Sequence, residues 1–166
     1  MRANSPNVAG PFVLPTLGRD VDGGSMLDLT TELEQQPVLL FWVSSQCQGC
    51  HEWAEGIRDS NLNYSVMQPV TIHRYGNFED ADKIMQVYGN NSSDHYSPWP
   101  VVIDAYSRLA LDFDTREASG LSVVEAFGNL PTPSVILLDK NGNIVWEASS
   151  YWYSADQLEE AGEIAA

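Results

Sequence analysis

Six consecutive apolar residues, Val38-Leu39-Leu40-Phe41-Trp42-Val43, predict a buried strand. After a short polar turn the period changes. Cys50, Trp53, Ala54 and Ile57 fall at i, i+3, i+4 and i+7, one face of a helix, with His51, Glu52, Glu55, Arg58 and Asp59 on the other. Gly56 is expected to bend that helix. Val70 to Tyr75 reads as a second strand, and a helix is predicted from Asn77 or Glu79 to Tyr88, closed by Gly89. A polar loop to Pro98 precedes a third strand, Trp99 to Ile103.

The pattern is clearest near the C-terminus. Ser134 to Leu138 and Ile144 to Ala148, joined through Asn141-Gly142, predict a β-hairpin. Ser154 is expected to cap a final helix to Ile164. At the other end, Phe12 to Pro15 and the turn Asp20 to Gly24 suggest a hairpin, followed by a short helix capped by Thr30 or Thr31. Ser122 to Phe127 reads as helical, whereas residues 105 to 120 have no clean period. Residues 1–10 are polar, with Pro6 and Gly10, and are expected to be a loose tether to a single domain over 11–166.

Composition narrows the function classes. The chain has 166 residues, 43% of them hydrophobic, enough for one domain with its own core. The net charge of −15 comes from 23 acids against 8 bases and disfavours nucleic acid as a partner, since no basic patch exists to meet a phosphate backbone. A solvated acidic face accounts for this charge, and adaptation to high salt is a sharper alternative. No run of 18 apolar residues predicts a membrane span. The N-terminus lacks the basic start and apolar stretch of a secretory signal, so the chain reads as cytoplasmic or as a mature form already trimmed.

The chemistry is concentrated in Cys47-Gln48-Gly49-Cys50, which holds both cysteines of the chain and opens the helix after the buried strand. Free N–H groups and the positive end of the helix dipole favour a thiolate at that position. Cys47, nearer the helix start, is the expected nucleophile, and Cys50 the thiol that resolves a mixed disulfide. Gln48 and Gly49 bring no charge that would lower the Cys47 pKa, and nearby acids would raise it, which suggests a moderately reducing pair.

A βαβ start carrying Cys-x-x-Cys, a further βα segment, and a proline-led hairpin with a final helix resembles the thioredoxin fold. Within that superfamily the chain is similar to the TlpA-like thiol-disulfide oxidoreductases, an extracytoplasmic group. The matching pieces are the Asp22-Gly23 hairpin, PVLLFWVSSQCQGC, WPVVID and PTPSVILLDKNGNIV. The resemblance implies an α/β, thioredoxin-like three-layer fold with an N-terminal hairpin extension and a central insertion. It further implies a cis peptide at Thr132-Pro133 facing the cysteines, where the backbone of Thr132 pairs with the substrate backbone. Gln48 and Gly49 would lie on the same substrate-binding surface. Protein thiols or disulfides are the implied substrates, a partner dithiol protein the source of electrons, and no cofactor or metal is required. The compartment it favours is periplasmic or cell-surface, with any signal or anchor lying outside this chain.

The chain also departs from the family pattern. Gln46 stands where tryptophan is common, Glu55 where proline is usual, and Phe41 or a neighbour where thioredoxins proper carry a buried aspartate. Glu52 is then a candidate proton acceptor for Cys50, though an exposed helix-face carboxylate explains it as well.

Rival readings share some of these residues. Cys47 to His51 matches the CxxCH motif of c-type haem attachment, with His51 as axial ligand. Two thiolates with His51, His73 or His95 could make a zinc site. A peroxiredoxin is poorly matched, because Ser44 and Leu40 stand where its threonine and proline would be. A non-catalytic thioredoxin-like binding module is a further alternative. Trp42, Trp53, Trp99 and Trp146, with Tyr75 and Tyr88, are expected in or near the core, and Ser44 and Ser45 are candidate donors to the Cys47 sulfur.

Overall fold

The computed structural model describes residues 10–112 and 114–166, so the tether expected over residues 1–10 lies, apart from Gly10, outside the described residues. The central sheet has five strands, in the order Val101–Val102 (β5), Gln68–His73 (β4), Val38–Val43 (β3), Ser134–Leu138 (β8) and Ile144–Glu147 (β9). Its middle strand β3, Val38–Val43, is the predicted apolar run and is buried along its whole length. It pairs in parallel with β4, Gln68–His73, and antiparallel with β8, Ser134–Leu138. β5, Val101–Val102, and β9, Ile144–Glu147, form the edges.

Side chains alternate across a strand, so β3 serves two cores at once. Val38, Leu40 and Trp42 pack on one face of the sheet with Phe12, Leu29 and Val123. Leu39, Phe41 and Val43 pack on the other with both cysteines, Trp53, Ile57 and Leu158. The first layer carries the hairpin of β1, Val13–Pro15, and β2, Met26–Asp28, then α1, Leu29–Gln35, and α4, Val123–Ala126. The second carries α2, Gln48–Asp59, α3, Ala81–Ile84, and α5, Ala155–Ala165. This is the expected three-layer α/β arrangement.

The N-terminal hairpin is joined to the sheet edge. Ile103 N–H donates to Pro15 O at 2.9 Å, and Leu17 N–H to Val101 O at 3.1 Å. Arg19 and Asp22, in the hairpin's connection, form a buried pair at 2.8 Å. The Arg19 guanidinium also donates to the carbonyls of Gly89, Ser97 and Trp99, while Asp22 accepts from the N–H of Val101. One ion pair therefore ties the hairpin to the segment between α3 and β5.

Several boundaries differ from expectation. Asp28, not Thr30 or Thr31, caps α1, accepting from Thr30 N–H at 3.0 Å. The helix predicted from Asn77 or Glu79 begins at Ala81 under an Asp80 cap, and it widens into a π-helical turn over Met85–Gly89. Trp99 and Pro100 lead into β5 rather than belonging to it, and Ile103 follows it. The stretch without a period is a second hairpin, β6, Leu109–Leu111, with β7, Ala118–Ser122. α2 runs on through Gly56, which lets the ring of Tyr153 lie against the helix, where a Cβ would collide with it. The tryptophans named for the core are buried, and Trp99 donates its Nε1–H to Thr71 Oγ1 at 2.8 Å.

Candidate active site

β3 delivers the chain to a polar turn, Ser44 to Gln46, and α2 starts at Gln48 with Cys47 as its N-cap. The Cys47 sulfur accepts a hydrogen bond from Cys50 N–H at 3.1 Å, the place a capping oxygen would take. Cys50 sits one turn in, and the two sulfurs form a disulfide with the Cα atoms 5.1 Å apart. Cys47 is 8% exposed and Cys50 fully buried, so an incoming group reaches Cys47 first. Cys50 Sγ is 3.9 Å from the carbonyl oxygen of Trp42.

The turn that presents Cys47 is held from several directions. Tyr88, buried in the π-helical turn that continues α3, donates its hydroxyl to Ser44 O at 2.7 Å. Burial pushes that hydroxyl well above its ordinary pKa, so it stays a donor. Ser44 Oγ is 3.3 Å from Thr132 Oγ1, and the Thr132-Pro133 peptide bond is cis. The peptide is cis as the resemblance implied, and this side-chain contact joins its loop to the turn ahead of Cys47. Ser44 and Ser45, candidate donors to the cysteine sulfur, are committed elsewhere.

Sequence reasoning missed Glu79. Its carboxylate accepts from Ser45 N–H at 3.0 and 3.2 Å and from the Ser45 hydroxyl, while Oε1 lies 3.0 Å from Nε2 of His73. A carboxylate only accepts, so His73 donates. Burial alone would raise the Glu79 pKa, but the bonds from Ser45 and His73 outweigh it and hold the group below the usual carboxylate range. Burial lowers the His73 pKa against the opposing pull of Glu79. The signal was thin, since Glu79 is 34 residues from Ser45 and sits in a loop.

His51 turns away from the sulfurs. Its Nε2–H donates to Ser45 O at 2.8 Å, and its ring stacks on that of His95 at 4.0 Å. His95 in turn donates from Nδ1 to Glu55 at 3.0 Å. Burial lowers the His51 pKa, the Ser45 bond opposing it and His95 adding to it. Among the described residues no group of three or more His, Cys, Asp and Glu side chains is arranged to hold a metal ion.

Gln46 and Gln48 are exposed beside the disulfide, and Gly49 is covered by Tyr151. Glu52 is exposed on the outer face of α2, in a shallow cleft shared with Glu55, Asp59 and Tyr153, and no hydrogen bond links it to either cysteine.

No protein-family model and no curated protein matches the sequence. Solved structures match the fold over nearly the whole chain. The thioredoxin domain of a thiol-disulfide oxidoreductase from Bacteroides vulgatus is 16% identical, with 98% of each chain covered and a TM-score of 0.64. A secreted disulfide oxidoreductase of Mycobacterium tuberculosis is 16% identical, covering 92% of this chain and 95% of that one at a TM-score of 0.60. A peroxidoxin of the same organism is 17% identical over 96% and 94%, at 0.61. At such identities the likeness speaks for the fold, and the chemistry must be argued from the residues. No helix among the described residues is long and apolar enough to cross a membrane.

Proposed function

We propose that this thioredoxin-fold chain is a thiol-disulfide oxidoreductase that reduces disulfides in protein substrates. The observation that carries the reading is the Cys47–Cys50 disulfide at the N-terminus of α2, with the outer sulfur partly open and Thr132 in contact with Ser44, three residues ahead of it. In the reduced protein the Cys47 thiolate attacks a substrate disulfide, forming a mixed disulfide and expelling one substrate thiolate, which takes up a proton. Cys50 gives up its proton and attacks Cys47 Sγ, which restores the internal disulfide and releases the second substrate thiol. Two electrons pass to the substrate, and a partner dithiol protein returns the pair to its reduced form.

Thr132 and Pro133 have the role of orienting the substrate as an added strand, with exposed Gln48 on the same contact surface; Gly49, expected there too, is buried under Tyr151 and offers no such surface. Gln46 and Glu52 act at most as modulators, Gln46 exposed just ahead of Cys47 and Glu52 exposed on α2. The helix N-terminus favours the Cys47 thiolate, yet the first turn of α2 carries no lysine or arginine and His51 turns away to Ser45 O, which supports a moderately reducing pair. The resemblance to an extracytoplasmic group and the secreted relative support a site of action outside the cytoplasm. Haem attachment is disfavoured, because the sulfurs it needs are joined to each other and His51 Nε2 is committed to Ser45.

Equilibration of the pair against dithiothreitol or glutathione, followed by Trp53 fluorescence, tests the reading. A potential near about −270 mV fits a reductase, and one near about −120 mV would make the protein an oxidant instead. Cys50→Ser should trap a mixed disulfide through Cys47. A pair that never cycles, or a variant that traps nothing, would remove the oxidoreductase reading.

A further inference from the structure

The loop between β9 and α5 carries an aromatic pair that the exchange chemistry does not use. Tyr151 closes over Gly49, between the two cysteines, so closely that a Cβ there would lie 2.8 and 2.9 Å from atoms of its ring. Trp152 packs edge-on against Tyr151, with centroids 4.8 Å apart and planes at 85°. Both rings face solvent, Tyr151 47% and Trp152 46% exposed, whereas the other four tryptophans are 8% exposed or less. An apolar pair displayed to water beside a reactive disulfide calls for an explanation.

The loop is also held in place. Trp53 Nε1–H donates to Ser150 O at 3.2 Å, Ser150 Oγ donates to Trp152 O at 2.6 Å, and Gln157 makes two bonds to Ser149. Tyr153 anchors the far end, edge-on against Trp53 and lying on Gly56. Exposed aromatics fixed in this way lose little freedom when something docks on them, which is how a few rings come to dominate an interface. The motif itself offers exposed Gln46 and Gln48 and no apolar surface.

We infer that Tyr151 and Trp152 form a docking platform for an aromatic or large apolar side chain of the substrate polypeptide, close in sequence to its reacting cysteine. This rests on the thiol-disulfide reading above and adds a selectivity to it. The occupant is a polypeptide because the platform adjoins the disulfide on which the substrate chain must lie. It is apolar because the exposed pair offers two aromatic rings packed on each other, and an acidic occupant is disfavoured by the net charge of −15.

Two synthetic peptides test the inference. Each carries one cysteine as its mixed disulfide with glutathione, flanked by phenylalanine in one and serine in the other. The reduced protein converts either to peptide thiol and glutathione while its own pair becomes a disulfide, and the readout is the ratio of the two rates. The wild type should prefer the phenylalanine peptide by about tenfold, the size expected for one aromatic anchor. Trp152→Ala should bring the ratio to about one, and Trp152→Phe should keep most of it. A wild-type ratio near one, or a ratio unmoved by Trp152→Ala, overturns the platform. So does a wild-type dimer that Trp152→Ala converts to monomer, which would assign the rings to a second copy of the chain. Failure of the wild type to exchange even with dithiothreitol would instead sink the oxidoreductase reading, so the two failures are told apart.

Discussion

Glu79 accepts hydrogen bonds from both the backbone N–H and the hydroxyl of Ser45, two residues ahead of the cysteine that faces solvent. Its third partner is the buried imidazole of His73 at the end of β4. Glu79→Ala would leave Ser45 N–H and His73 Nε2–H without an acceptor in a largely dry setting. The expected loss is about 1–3 kcal/mol, read as a lower urea midpoint. Glu79→Gln keeps one acceptor oxygen and should lose less. A midpoint unchanged in Glu79→Ala would mean that the carboxylate does not hold the turn.

The same cluster gives the fold a pH dependence of definite sign. His73, His51 and Glu79 all have pKa values lowered in the folded protein. On acidification the unfolded chain takes up protons on these groups first, histidine from about pH 6.5 and glutamate from about 4.3. The stability they contribute is therefore present above those values and lost as the pH falls through the lower folded ones. Urea unfolding at a series of pH values from 7 to 4 should show a steady decline, shallower in His73→Gln. A flat profile would contradict this account.

Gly56→Ala sets helix propensity against packing. In an exposed helix the change would stabilise by about 1 kcal/mol. Here the new methyl would sit inside the Tyr153 ring, which cannot retreat without giving up its edge contact with Trp53. The variant should be destabilised by about 1–3 kcal/mol, the range for forcing extra volume into a packed site. A rise in melting temperature would show that the ring moves freely. Gly56→Ala combined with Tyr153→Ala should regain much of the loss.

Asp22→Ala removes one half of a buried pair and strands Arg19 among backbone carbonyls. An uncompensated buried charge of this kind costs about 3–5 kcal/mol. The loss should appear as a lower midpoint, together with faster amide exchange at Leu17 and Val101, whose bonds tie the hairpin to the sheet. Unchanged exchange at those amides would separate the pair from the hairpin's attachment.

The strand, motif and helix around the cysteines were legible because their signals are local. Six apolar residues and then a 3.6-residue period mark a buried strand running into a helix, and Asn141-Gly142 marks the hairpin turn. What escaped depends on distant partners. Glu79 gains its meaning only when β4 brings its loop to Ser45, and Gly56 is a contact surface only once Tyr153 folds back from the chain's last third. Thr30 looked like a cap by residue type, but Asp28 occupies the position at which the backbone turns into the helix. The β6–β7 hairpin has a largely exposed second strand, so no alternation of apolar and polar residues announces it.

The alternation of β3 separates chemistry from support. Leu39 and Leu40 are neighbours of like size, both fully buried, and each should lose about 2–5 kcal/mol on truncation to alanine. Only Leu39 shares its compartment with the disulfide, whereas Leu40 looks into the opposite one with Phe12 and Val123. The sheet acts as an insulating wall: a change at Leu40 should move the melting temperature and leave the redox potential nearly untouched, whereas one at Leu39 should move both.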